Sequence, residues 1–111
     1  MQYTIQDIEP FDIVPGFHAR MIHTDSLTIA FVDIEAGATL PEHAHIHEQI
    51  TNMLEGELEM TIGGKTSRFS AGQSVVIPSN VPHSGRAITA CKAMDVFTPV
   101  REDFRAKKVN Y

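Results

Sequence analysis

Between Glu57 and Phe69 the chain alternates polar and apolar residues around a glycine pair. Glu57, Glu59 and Thr61 interleave with Leu58, Met60 and Ile62, and Gly63-Gly64 separates them from a returning run, Lys65 to Phe69. Successive strand residues face opposite ways, so this pattern predicts a half-buried β-hairpin. Leu27 to Ile34 is apolar on both faces, with Leu27, Ile29 and Phe31 on one and Thr28, Ala30, Val32 and Ile34 on the other. It is expected in a sheet interior or at an interface. Further short strands are predicted at Ile50–Leu54, around Val75–Ile77, and over Ser84–Thr89 and Cys91–Phe97, with Gly or Pro at nearly every break. Residues 1–16, broken by Pro10 and Pro15-Gly16, read as one or two edge strands with a turn, the kind of edge a partner chain covers. His18 and His23 flank the next short segment as surface or hairpin residues. After Thr98-Pro99, Val100 to Lys108 reads as a polar tail with a helical turn or two and a solvated charged face. Many short strands at even spacing predict an all-β barrel or sandwich, with Met53 and Met60 as core fillers.

Composition narrows the class. The 111 residues suit one domain, 1–111, and 42% hydrophobic residues can supply a core. A net charge of −5 argues against nucleic acid as the main partner. No apolar run reaches membrane-spanning length, and the first residues lack the basic and apolar regions of a secretion signal, so a cytoplasmic protein is expected. Cys91 is the single cysteine, which rules out an internal disulfide, and it is expected as a small buried residue.

Candidate chemistry concentrates between Gly37 and Gly56. His43, His45, His47 and Gln49 all sit at odd positions, so an unbroken strand would aim them to one side. Imidazole nitrogens with an amide oxygen can hold one divalent ion such as Zn, Ni, Mn or Fe, and His83 supplies a further ligand from a second Gly/Pro-punctuated block. His47 rivals Gln49 as ligand unless a bulge or turn at 46–48 re-aims it. In the last strand Asp95 lies between Met94 and Val96. Alternation leaves two arrangements open. Either Asp95 and Phe97 face inward, which is costly for an unpaired carboxylate, or Met94 and Val96 do and Asp95 is wet.

The spacing of the glycines and histidines resembles the two cupin motifs. Gly37, His43, His45, Gln49 and Gly56 follow G-x5-H-x-H-x3-E-x6-G, and Gly72, Pro78, Asn80, His83 and Ala87 follow G-x5-P-x-G-x2-H-x3-N. Gln49, Asn80 and Ala87 depart from the usual Glu, Gly and Asn. Asn80 can still take a positive φ, and Gln49 leaves a neutral ligand set with a more electrophilic metal. The strings HEQI, LEGELEMTIGG, IPSNVPH and DVFTPVREDF further resemble the small cupins of pectin-degradation operons, from about Pro41 to Phe104.

That resemblance implies a double-stranded β-helix (jelly-roll) barrel with a metal held in its mouth by His43, His45, Gln49 and His83, and it favours Gln49 over His47. It implies roles beside the metal for Asp95 as acid–base group, Phe97 as substrate support and Arg101 as carboxylate-binding group. The implied reaction converts a 4,5-unsaturated monouronate, an anionic sugar acid released by a lyase, to its linear keto form. The fold hosts other chemistries, so a dioxygenase or lyase acting on another small acid is an alternative. So is a non-catalytic binding or sensing cupin, although no DNA-binding segment accompanies the barrel in this sequence. A homodimer is expected through the N-terminal edge strands and strand 27–34.

Overall fold

A computed structural model of the chain describes residues 1–109 and 111. After a 3-10 turn at Ile5–Asp7 come ten strands. They are β1 (Phe11–Val14), β2 (Phe17–His23), β3 (Thr28–Ile34), β4 (Thr39–His43), β5 (Glu48–Glu55), β6 (Glu57–Ile62), β7 (Lys65–Ser70), β8 (Ser74–Ile77), β9 (His83–Ala87) and β10 (Cys91–Thr98). One helical turn, α1 (Glu102–Arg105), follows. The strands form two antiparallel sheets, β1-β2-β3-β10-β5-β8 and β4-β9-β6-β7. This is the all-β jelly-roll expected from the motifs, with the β6–β7 hairpin turning at Gly63-Gly64 as the alternation predicts.

The core lies between the sheets. Its apolar members include Phe17, Ala30, Val32, Ile34, Met53, Leu58, Met60 and Ile77, with both methionines as filler. On β3 the inward residues are Thr28, Ala30, Val32 and Ile34, all buried, while Ile29 and Phe31 face out. Strand β10 lies between β3 and β5, pairing Asp95 with Ala30 and Thr51, and Phe97 with Thr28 and Gln49. This register turns Asp95 and Phe97 inward and decides between the two arrangements left open by alternation. On the outer face the same register aligns Ile22, Ile29, Val96, Ile50 and Val76 in one apolar row across five strands.

Two expectations are corrected. The histidine strand is broken: β4 ends at His43, residues 44–47 turn from one sheet to the other, and β5 already starts at Glu48. The turn is held by Asn80 N–H to His45 O at 2.8 Å and by Ser79 Oγ–H to Ile46 O. The segment after Pro99 makes the expected helical turn and is exposed at Glu102 and over 105–108, but two of its side chains are not solvated. Arg101 is 1% exposed and Phe104 3% exposed. Phe104 packs edge-on against Phe11 and Phe97, with ring centroids 6.3 and 5.7 Å apart.

Asn80 takes φ +62°, as its place in the second motif requires. Gly56 has φ +86°, and a Cβ there would lie 2.2 Å from the carbonyl oxygen of Ala90. Gly37 has φ +82° but open space around it. Gly37→Ala is therefore expected to cost about 1–2 kcal/mol, the strain of a left-handed residue. Gly56→Ala adds a backbone collision and is expected to cost more than about 3 kcal/mol; urea denaturation midpoints would measure both.

At the sheet edge His18 bonds Asp12 through Nδ1 and Glu35 through Nε2 at 2.8 Å. The hydrogen bonds to Asp12 and Glu35 raise its pKa. A raised histidine pKa stabilises the fold fully below the unfolded value, and that stability is lost as pH rises through the folded value. The advantage of wild type over His18→Gln should therefore shrink as pH rises above the ordinary histidine value of about 6.5, and it should be small because the group is exposed.

Candidate metal centre and its surroundings

Three imidazoles converge at one end of the barrel. His43 and His83 face each other across the β4–β9 pairing, with ring centroids 4.2 Å apart, and His45 enters from the 44–47 turn. Each Nδ1 lies against a backbone carbonyl: His43 on Pro41 O at 2.8 Å, His45 on His47 O at 3.0 Å, and His83 on Val81 O at 2.9 Å. A carbonyl only accepts, so each Nδ1 carries the proton and each Nε2 presents its lone pair. This is the outer-shell arrangement that orients metal-binding histidines. One ligand atom from each residue lies within 4.8 Å of the others, and among the described residues this trio is the His, Cys, Asp or Glu group so placed. His83 Nε2 is buried with no hydrogen-bond partner. A buried nitrogen with nothing to bond is costly unless a ligand completes it, and the donor set fits a divalent ion.

Burial pushes His43 and His45 down to about 4 and lowers His83, with the neighbouring charge of Arg101 acting the same way. All three are therefore neutral and ligand-competent at neutral pH. Gln49, on β5, is buried, and its Oε1 lies 3.1 Å from His45 Nε2. Its Nε2–H donates to Thr51 Oγ at 2.9 Å, which fixes the amide so that its oxygen faces the histidines. His47 lies outside the trio. Its ring is 5.4 Å from that of His45, and its Nδ1 is buried without a partner.

Deeper in the barrel, Asp95 sits on the central strand opposite Thr51. Burial raises its pKa to about 6, against the pull of Thr51, Gln49 and the charge of Arg101. Its Oδ1 has no hydrogen-bond partner, and the side chain keeps partial exposure, to the cavity it lines.

Arg101 was expected to present its fork to a ligand carboxylate. In this structure the fork is engaged within the chain. Nε and Nη2 already donate to the two oxygens of Asp103, at 3.0 and 2.8 Å. The guanidinium lies over the rings of Phe104 and Phe97, 3.6 and 4.8 Å from their centroids. These contacts hold a buried cation by pairing and cation–π attraction. Nη1 remains buried and unpartnered. Phe97 thus supports Arg101 while its ring meets that of His45 edge-on at 5.9 Å.

Tyr111 closes the mouth. Its ring stacks on His43 at 3.9 Å between centroids, and its hydroxyl accepts from Arg101 Nη2 at 3.0 Å. The cavity beside it is about 40 Å³. Thr51, Asp103 and Tyr111 escaped the sequence reading. Thr51 shares the parity of Gln49, and Asp103 stands two residues from Arg101, so both left a faint signal. Tyr111 left none, because its approach depends on the path of the chain around the barrel.

A ten-stranded antiparallel jelly-roll with inward histidines at one mouth defines a cupin barrel. The cupin domain family matches residues 30–97, and this chain belongs to it. The pectin degradation protein KdgF of Dickeya dadantii is 29% identical over 107 residues, covering 93% of this chain and 97% of that protein. The structure of KdgF from a Halomonas species superposes with a TM-score of 0.87 at 27% identity, covering 94% of this chain and 97% of that one. An RmlC-like cupin from Shewanella frigidimarina gives a TM-score of 0.86 at 30% identity, covering 92% and 93%. The HTH-type transcriptional regulator PuuR of Escherichia coli is 32% identical over 91 residues, 76% of this chain and 49% of PuuR. The chain therefore spans about half the length of that relative. No helix among the described residues is long and apolar enough to cross a membrane.

A buried carboxyl whose folded pKa is raised weakens the fold once it ionises. Its cost is absent below the unfolded value and complete above the folded one. Asp95→Asn should therefore stabilise the metal-free protein above pH 6 by at most about 3 kcal/mol, the equivalent of a two-unit shift. The gain should vanish below about pH 4, and thermal melts across pH would check both limbs.

Proposed function

We propose that the protein is a metal-dependent cupin enzyme that converts a 4,5-unsaturated monouronate, left by a pectin or alginate lyase, to its linear keto form. The observation that carries this reading is the convergence of an acid–base carboxyl, Asp95, and a buried guanidinium, Arg101, on a three-histidine mouth. The likeness to KdgF over nearly the whole chain supports it. In this reading His43, His45, Gln49 and His83 hold one divalent ion, with His47 outside the ligand set. When bound, the ion supplies Lewis acidity toward a substrate oxygen.

The chain's own residues account for the rest. Arg101 receives the substrate carboxylate through Nη1, the donor that Asp103 leaves free. Phe97 and Phe104 keep the guanidinium in place and limit water. Ring opening breaks the bond between the anomeric carbon and the ring oxygen. The anomeric hydroxyl loses a proton as the aldehyde forms, and C4 gains one as the enol becomes a ketone at C5. One proton leaves and one enters, so a single group can manage both. Asp95, with its pKa lifted toward neutrality, suits the task. The reaction is an isomerisation without redox change, so Zn or Ni would serve as well as Mn or Fe.

We further propose that the outer row Ile22–Ile29–Val96–Ile50–Val76, with exposed Leu54 beside it, meets a second copy of the chain. The expected homodimer would then use the six-stranded sheet face more than the N-terminal edge alone. Ile50→Glu should shift a dimer to monomer in sedimentation at micromolar concentration, and a wild-type monomer would refute the proposal.

The regulatory reading is kept in view by the likeness to PuuR. It predicts uronate or other ligand binding without turnover. The deciding experiment follows loss of the conjugated double-bond absorbance of freshly released 4,5-unsaturated galacturonate. Metal-loaded protein should accelerate it over the spontaneous rate, and chelation should remove the acceleration. Asp95→Ala should lower kcat by at least about a hundredfold with metal content intact, and Arg101→Ala should act mainly on KM. Full activity in Asp95→Ala would exclude it as the proton carrier.

A further inference from the structure

Tyr111 stands between His43 and Arg101. Its ring covers His43, and its hydroxyl takes the Nη2 hydrogen that Asp103 does not use. Beside it, Arg101 Nη1 is buried and unpartnered. A carboxylate approaching the guanidinium end-on would use Nη1 and Nη2 together, and the phenol blocks half of that grip. The space left inside, about 40 Å³, has room for a few waters. A monouronate needs several times that, since pockets for small molecules begin at roughly 300 Å³.

We infer that Tyr111 is a displaceable occupant of the ligand site: a carboxylate ligand enters by taking the phenol's place on Arg101 and driving the ring off His43. The inference rests on the assignment of Arg101 as the anion-holding group. It makes Tyr111 a selectivity element. A neutral sugar offers only hydroxyl acceptors, which gain nothing over the phenol on the guanidinium, so it does not drive Tyr111 out. A carboxylate exchanges a neutral acceptor for a charged one and opens the mouth.

The composition makes this directly measurable. The chain has no tryptophan and two tyrosines, and the other, Tyr3, is exposed and does not line the cavity. In a Tyr3→Phe background the emission and anisotropy of Tyr111 can be followed in the metal-loaded protein. The probes are saturated galacturonate (an unreactive carboxylate), galactose (neutral) and acetate. Galacturonate and acetate should each change the signal saturably, and galactose should leave it flat. Tyr111→Phe, which loses only the hydroxyl, should raise kcat/KM on the unsaturated uronate by roughly three- to tenfold through KM, the worth of one net hydrogen bond.

Galacturonate binding seen by calorimetry with an unmoved Tyr111 signal would overturn the inference, as would a fall in kcat/KM for Tyr111→Phe. If no uronate binds or turns over, the substrate assignment fails by itself. The acetate titration then decides: a saturable response keeps the displacement, and a flat one rejects it.

Discussion

The register of β10 between β3 and β5 is the constraint on which the site depends. It sets Asp95 opposite Thr51 and Ala30, Phe97 opposite Gln49 and Thr28, and delivers the chain to Arg101. A slip of one residue would put Met94 and Val96 inside and turn the carboxylate and the ring to solvent. The register also makes Gln49 and Thr51 neighbours of Asp95, so the polar residues of the interior form one connected group. Burying that group is expensive unless its members answer one another. Thr51 accepts from Gln49, and Asp103 accepts from Arg101. Four buried side-chain atoms are left without partners, on His47, His83, Asp95 and Arg101.

This division between satisfied and unsatisfied atoms gives the site its character. Backbone carbonyls hold the outer nitrogens of the imidazoles and leave the inner ones free. Asp103 and two aromatic rings hold the guanidinium and leave one amino group free. The scaffold spends hydrogen bonds on orientation and leaves the inward atoms without them. Such preorganisation stores instability in the empty site, released when a partner arrives.

Much of the fold was legible because sheet structure writes itself in alternation and turns. The hairpin around Gly63-Gly64, the two-faced strand β3 and the need for a positive φ at Asn80 follow from local chemistry. The motif spacing pointed to His43, His45, Gln49 and His83, and the structure brings all four side chains to one mouth. Parity was a poor guide to how they get there, because the chain crosses between sheets at residues 44–47 and strand alternation stops at His43. Charge pattern misread the segment after Pro99 for a related reason. A run such as VREDF looks solvated until Asp103 and two rings are known to enclose Arg101. Tyr111 lay beyond any local rule.

The position of β10 has a consequence for how the molecule is made. The strand that joins β3 to β5 comes late in the chain, after every other strand has been synthesised. During translation the larger sheet is therefore two separate pieces, with the facing edges of β3 and β5 unpaired until residues 91–98 leave the ribosome. Those edges present unpaired backbone groups that can pair with other chains. The barrel closes only when its central strand inserts between two waiting ones, a step dominated by contacts between distant residues and hence slow. Arg101 and Tyr111 follow later still, so the site is the last part of the molecule to assemble.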